Sequence, residues 1–197
     1  NVTDGANNVE VLNMADTNVG CLHDYTLTTT DMRKIENADI FIQNGLGLEN
    51  FIDKLLNTYN NLKIVDTSAN ISEKIEDDGS VNPHLWTSID NNIKQVQEIS
   101  NALIENNPAN SEIYKNNTEA YIDKLKENNK NKLQELNGKK VVCLNEAFEY
   151  LAKDIGLDLI TIETDHNEST LSADKLKDVI NTMREENINN IIVDIND

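Results

Sequence analysis

Short apolar runs alternate along this chain with longer stretches whose apolar residues recur every three or four positions, and this alternation restricts the fold more than any other feature. Ile40-Phe41-Ile42, Leu62-Lys63-Ile64-Val65, Val141-Val142-Cys143-Leu144, residues 157–162 and Ile191-Ile192-Val193 have the length and apolarity of strands buried in a sheet. Val9-Glu10-Val11-Leu12 alternates as a half-buried strand does. Helical patterns lie between most of these runs. Leu48, Phe51, Ile52, Leu55, Leu56 and Tyr59 follow the i, i+3, i+4, i+7, i+8 spacing of an amphipathic helix. A second helix runs from about Ser88 through Ile89, Ile93, Val96 and Leu103, with Thr87 or Ser88 placed to cap it. A third carries Ala147, Phe148, Leu151, Ala152 and Ile155, and Gly156 can take the left-handed conformation that ends it. The last follows Ser172 and shows Leu176, Val179, Ile180 and Met183. Strands alternating with helices of this length predict the α/β class, with parallel-type sheets flanked by helices.

One segment breaks the rhythm. From Pro108 to Gly138 there is no strand signal, only a polar stretch in which Ile113, Ala120, Tyr121, Leu125, Leu133 and Leu136 stand near helical spacing between a Pro start and a Gly stop. A helix that long exceeds what one α/β crossover needs, so it reads as a rigid spacer. It divides the chain into an N-terminal lobe of residues 1–107, a linking helix of 108–137 and a C-terminal lobe of 138–197. An ordinary surface helix would carry the same pattern.

At 197 residues the chain can bury a real core without staples, and no apolar run approaches the roughly 20 residues that a membrane-spanning helix requires. The formal net charge of -18, from 35 acidic and 17 basic residues, repels a phosphate backbone and an anionic lipid surface alike, so nucleic acid is excluded as a partner. Charge of this kind solvates helix faces and does not by itself argue for metal binding. Cys21 and Cys143 form no CxxC arrangement, which excludes a thioredoxin motif or a cysteine-rich zinc module. No secretion signal is readable. The chain opens on Asn1-Val2-Thr3 and stops at Ile195-Asn196-Asp197 after an apolar triplet, and the expectation is a trimmed fragment with an incomplete C-terminal lobe.

The three histidines stand in Gly20-Cys21-Leu22-His23-Asp24-Tyr25, Asn82-Pro83-His84-Leu85-Trp86 and Thr164-Asp165-His166-Asn167, each in or beside a loop. His23 and His84 belong at sheet edges, where ligand sites gather in open α/β folds. Imidazole is a common nitrogen ligand for divalent transition metals, and Asp24 is placed to fix a tautomer from behind. Taken singly, each histidine is more often an ordinary hydrogen-bonded side chain. Asn44-Gly45-Leu46-Gly47-Leu48-Glu49 lacks the third glycine of a dinucleotide fingerprint and the lysine of a P-loop, so its glycines read as a tight turn. Neither a GxSxG nucleophile motif nor an HExxH pair occurs.

These residues carry a resemblance. His23-Asp24-Tyr25-x5-Asp31, followed by Ile35, Ala38-Asp39, Phe41 and Asn44-Gly45-Leu46-Gly47-Leu48-Glu49, resembles the signature of the zinc/manganese solute-binding proteins of ABC transporters. Asn82-Pro83-His84-Leu85-Trp86 is similar to that family's Asp-Pro-His-x-Trp block, and Asn145-Glu146-Ala147-Phe148-Glu149-Tyr150 to its His-Asp-Ala-Phe-x-Tyr block. Pro108-x5-Tyr114-x2-Asn117 resembles the lead-in to its long interlobe helix. Blocks in the right order over almost the whole chain make the signal strong.

The resemblance implies two similar α/β lobes joined by a long rigid helix, with Zn2+, or alternatively Mn2+, held between them and delivered to an ABC permease in the membrane. It implies no catalysis, a monomer, and an extracytoplasmic place as a periplasmic protein or cell-surface lipoprotein. The first two ligands match His23 and His84. The family's third, His or Glu, falls on Asn145, a neutral oxygen donor, and Glu146 beside it can supply a carboxylate instead. The fourth, an acidic residue, lies beyond the end of this chain. His166 reads as an exposed histidine or an accessory ligand. Cys21 and Cys143 each precede a ligand position by two residues, so either thiol can face the site, be a buried strand cysteine, or pair with the other. Two other functions stay open: an adhesin or homologue that keeps the fold without metal, and a metal-dependent hydrolase with an activated water.

Overall fold

The computed structural model describes residues 1–14, 25–52, 59, 61–77, 79–162 and 172–192. Parallel pairing, expected from the helices between the strands, is what it shows. Strand β1 (Ile40–Gln43) pairs in parallel with β2 (Lys63–Asp66), Phe41 opposite Ile64 and Ile42 opposite Val65. A second sheet has β5 (Lys140–Cys143) at its centre, with β6 (Asp158–Thr161) on one side and β7 (Ile191–Ile192) on the other, both parallel to it. A short antiparallel hairpin, β3 (Glu76–Asp77) and β4 (Ser80–Val81), precedes the segment that carries His84.

Five α-helices are described: α1 (Thr29–Glu36), α2 (Ile89–Asn106), α3 (Ser111–Lys132), α4 (Glu149–Ile155) and α5 (Ala173–Glu185). The caps read from the sequence at Ser88 and Gly156 are in place, and Ser172 supplies another. The Ser88 hydroxyl accepts from Asn91 N at the start of α2, the Ser172 hydroxyl accepts from Lys175 N at the start of α5, and Gly156 closes α4 at φ 70°. The polar stretch after Pro108 forms α3, preceded by a 3-10 turn (Pro108–Asn110). Its buried residues Tyr114 and Ile122 sit on the side that packs along α2.

Three apolar clusters hold these elements. Ile35, Phe41 and Ile52 form one beneath β1; Val142, Val179 and Ile188 form another between β5 and α5. The third, Ile71, Leu85 and Tyr150, joins residues of the first half to α4 of the second, directly beneath His84.

Two expectations need correction. Residues 9–12 form no strand, and Val11 and Leu12 are 66% and 50% exposed. Alternation says which side chains could share a face, whereas a strand also needs a neighbouring ladder, and no described strand pairs with this segment. The helix expected from Leu48 is a run of turns over residues 46–52, although Leu48 and Ile52 are buried as its pattern demands, and residues 53–58 lie outside those described. Gly45, Leu46 and Gly47 are left-handed at φ 88°, 57° and 84°, so no right-handed helix runs through them and the turns follow directly on this loop. Helix α1 had no periodic signal to announce it. A reciprocal cap makes it: the Thr28 hydroxyl accepts from Asp31 N, and the Asp31 carboxylate accepts from Thr28 N.

Candidate metal centre

His84 follows the β3–β4 hairpin and opens a 3-10 turn (Leu85–Thr87) that runs into α2. The sequence folds this way because Leu85 is fully buried against Ile71 and Tyr150, while Ser88 ends the turn as the cap of α2. The turn is clamped on three sides. Asn44 Nδ2, from the glycine loop after β1, donates to Pro83 O at 2.8 Å, and Gln95 Nε2 holds Asn44 Oδ1 at 2.9 Å. Asp154, from α4, accepts from Ser88 Oγ and Ile89 N, both at 2.7 Å, placing a carboxylate at the positive end of α2. The Tyr150 hydroxyl donates to Asn82 O at 2.8 Å and accepts from Ile75 N at 2.9 Å.

The ring of His84 is largely buried, its side chain 14% exposed, and it tilts against Trp86 at 5.2 Å between centroids. Nδ1 lies 2.8 Å from Asn82 Oδ1, an oxygen that also accepts from His84 N at 3.0 Å. An amide oxygen only accepts, so this contact is a hydrogen bond when Nδ1 carries the proton, and the neutral ring's lone pair is then on Nε2, the arrangement a metal-ligating imidazole needs. The Glu146 carboxylate stands 3.7 Å from the same Nδ1, bringing a negative charge beside the ring.

The second half of the chain contributes the turn after β5. Asn145 Oδ1 accepts from Ala147 N at 2.8 Å and so caps the 3-10 turn Glu146–Phe148. Its amide oxygen therefore already has a structural partner, whereas the Glu146 side chain is 24% exposed and faces His84. Cys143 is a free, fully buried thiol whose Sγ donates to Asn145 O at 3.2 Å, and burial pushes its pKa up. That is the behaviour of a buried strand cysteine and not of a ready thiolate. The Asn44–Glu49 loop is a tight turn: Glu49 accepts from Asn44 N at 2.6 Å and Gly45 N at 3.0 Å.

Of the residues singled out in the sequence, the structure brings His84 and Glu146 to 3.7 Å, with Asn145 next to Glu146 in the chain, while His23, Asp24, Cys21 and His166 lie outside the described residues. Among the described residues no three His, Cys, Asp or Glu side chains converge as a metal-holding group. Sequence reasoning passed over Asn82, Glu149 and Tyr150 as working parts. The signal for Asn82 was its place two residues before a histidine, where its side chain can reach back to the ring and the backbone at once. Partners 67 and 68 positions away, such as Glu149 and Tyr150, leave no local trace.

The model of the family described as the zinc-uptake complex component A, periplasmic (ZnuA), matches residues 2–196. The chain belongs to this family. Relatives of the ZnuA-type chain include the iron-binding protein YfeA of Yersinia pestis, 30% identical over 176 residues that make up 85% of this chain and 57% of that protein. The manganese-binding lipoprotein MntA of Halalkalibacterium halodurans is 30% identical over 161 residues, 75% of this chain and 52% of its own. The chain therefore spans about half the length of these curated relatives. A crystal structure of ZnuA superposes with a TM-score of 0.81 at 27% identity, over 94% of this chain and 74% of that one. A manganese-bound periplasmic metal-binding protein from Candidatus Liberibacter asiaticus, in a mutant form, superposes at 0.74 with 28% identity, over 86% and 66%. No described helix of this ZnuA-family chain is long and apolar enough to cross a membrane.

Proposed function

We propose that this chain captures a divalent transition metal outside the cytoplasmic membrane, Zn2+ in preference to Mn2+, and passes it to an ABC permease without catalysing a reaction. The observation that carries the reading is His84, a histidine anchored from both halves of the chain, its Nδ1 tied to Asn82 and a carboxylate 3.7 Å away. His23 and His84 are the nitrogen ligands, and Glu146 supplies the third donor, because the Asn145 oxygen is engaged in capping. Imidazole nitrogens suit zinc, whereas manganese favours a larger share of oxygen donors. The lobes of this reading are residues 1–107 and 138–197, with 108–137 between them. Donors drawn from two lobes suit capture followed by release, since relative movement of the lobes changes the coordination and hence the affinity. Membership of the family and the relatives' names, which cite iron and manganese, support a divalent cargo.

The test is equilibrium dialysis of chain purified without chelator, with metal analysis of the bound fraction. One equivalent of zinc, weakened in Glu146→Gln, is the expected result. Binding that is unchanged in Glu146→Gln removes that residue from the ligand set. The second reading, a homologue that keeps the fold without holding metal, is favoured by one observation, the amide at position 145 committed to its own backbone. It would show as no retained metal at any concentration below the millimolar range.

A further inference from the structure

Asn82 does more than a loop residue between a hairpin and a 3-10 turn needs to do. It is 3% exposed, and every polar group it has is used. Its N donates to Ile75 O at 2.9 Å, and its O accepts from Tyr150 Oη at 2.8 Å. Oδ1 accepts from His84 N and holds His84 Nδ1 at 2.8 Å. Nδ2 donates to Glu146 O and to Glu149 Oε2, both at 3.0 Å. Glu149 is fixed in turn by Thr161 Oγ1, which donates to its other oxygen at 2.9 Å from the end of β6. The chain of contacts therefore runs from the imidazole, through one carboxamide, to the end of β6 at the edge of the second sheet.

Only a carboxamide suits this junction. The position needs an acceptor toward the imidazole and a donor toward a carboxylate and a carbonyl, and a carboxamide supplies both from one planar group. A carboxylate would serve the histidine and face Glu149 as a like charge; an apolar side chain would serve neither and would leave the half-buried Glu146 carbonyl and Glu149 carboxylate without this donor.

We propose that Asn82 is a positioning residue that locks His84 as the Nδ1–H tautomer, so that Nε2 is the nitrogen offered to the cation, and ties that orientation to the docked position of the Glu146–Glu149 turn. The inference rests on the capture reading for its consequence on affinity, but its effect on the histidine does not require metal. Coordination by Nε2 and the approach of the opposing lobe become linked through one side chain.

The experiment is a long-range proton–nitrogen correlation spectrum of the full metal-free chain at about pH 8, above the usual histidine pKa, read beside a zinc titration of the same samples. The wild type shows the His84 Nδ1–H pattern. Asn82→Ala shows a mixture or the opposite tautomer, and zinc affinity lowered by about 10- to 100-fold, the usual cost of losing a group that orients a metal-bound histidine. Asn82→Asp keeps an acceptor, so it restores the Nδ1–H tautomer while losing the tie to Glu149; if the alanine variant does not fold, this variant carries the test. An unaltered tautomer and unaltered zinc affinity in Asn82→Ala, or an Nε2–H pattern in Asn82→Asp, overturns the proposal. A wild type that shows the tautomer pattern and its loss in Asn82→Ala, yet binds no zinc, upholds the positioning role and sinks the capture reading instead.

Discussion

Replacing Tyr150 with phenylalanine isolates what one hydroxyl contributes to the junction under His84. The ring is 2% exposed and packs with Ile71 and Leu85, and phenylalanine retains all of that apolar burial. What goes is an oxygen that accepts from Ile75 N at 2.9 Å and donates to Asn82 O at 2.8 Å. Asn82 is buried, so its carbonyl loses a partner that water cannot replace, at a cost of about 1–3 kcal/mol. Ile75 is half-buried, and water recovers part of its loss, leaving about 1 kcal/mol. The sum is roughly 2–4 kcal/mol. At about 2–4 °C per kcal/mol for a chain of this size, the corresponding fall in thermal midpoint is roughly 4–16 °C. Urea unfolding of metal-free protein, followed by far-UV circular dichroism, measures the free-energy loss, with an unchanged denaturant slope showing that the same surface unfolds. A loss below about 0.5 kcal/mol at unchanged slope, the range of ordinary surface substitutions, would refute the claim that this hydroxyl fastens the two halves.

Other outcomes follow from the same structure. Gly45→Ala places a Cβ 2.2 Å from Asp66 Oδ1 and 2.5 Å from Ser68 Oγ at φ 88°, whereas Gly79→Ala at φ 83° meets nothing within 4 Å. Urea denaturation will show Gly79→Ala costing about 1–2 kcal/mol from backbone strain alone, and Gly45→Ala clearly more. Burial pushes the Asp31 carboxyl up, but hydrogen bonds from the Thr28 hydroxyl and N–H, the Tyr25 hydroxyl and Lys34 outweigh it and hold the group well below the usual carboxylate range. Its folded value lies under its unfolded value of about 3.9, so its stabilisation is complete above that pH and is lost as pH falls through the folded value. Asp31→Asn should lower stability at pH 7 by about 1–3 kcal/mol and flatten the decline below about pH 4 seen in the wild type by acid titration of the unfolding midpoint. Zinc at a hundred times its dissociation constant should stabilise the chain against urea by about 2.7 kcal/mol, reversed by chelator, and no stabilisation would contradict selective binding to the folded form.

The parallel sheets were legible because their strands are apolar on both faces and separated by helical periods; Val142 and Cys143 are fully buried, as their run suggested. Caps were legible for the same local reason, Ser88 and Gly156 acting within three or four residues of themselves. Where the reading failed, the deciding physics was either non-local or stereochemical. Residues 9–12 had the alternation of a strand and no partner among the described strands, and the helical spacing from Leu48 gave no sign of the left-handed residues 45–47 or of the turns that follow them. At the candidate site His84 stood out by residue type, while the group that orients it did not, since Asn82 acts through Glu146, Glu149 and Tyr150, more than sixty positions away. Asn145 shows the opposite limit. Its sequence position suggested a ligand, with no sign that its oxygen also caps a turn by accepting from Ala147 N.

Isothermal titration of zinc into the wild type and into His84→Ala tests the central claim most directly. A buried imidazole that offers Nε2 to the cation predicts one-to-one binding in the wild type and an affinity lowered at least about a hundredfold in the variant, more than the loss of an orienting neighbour costs. Equal affinity in the two proteins, each shown to be folded by circular dichroism, would mean that His84 holds no metal.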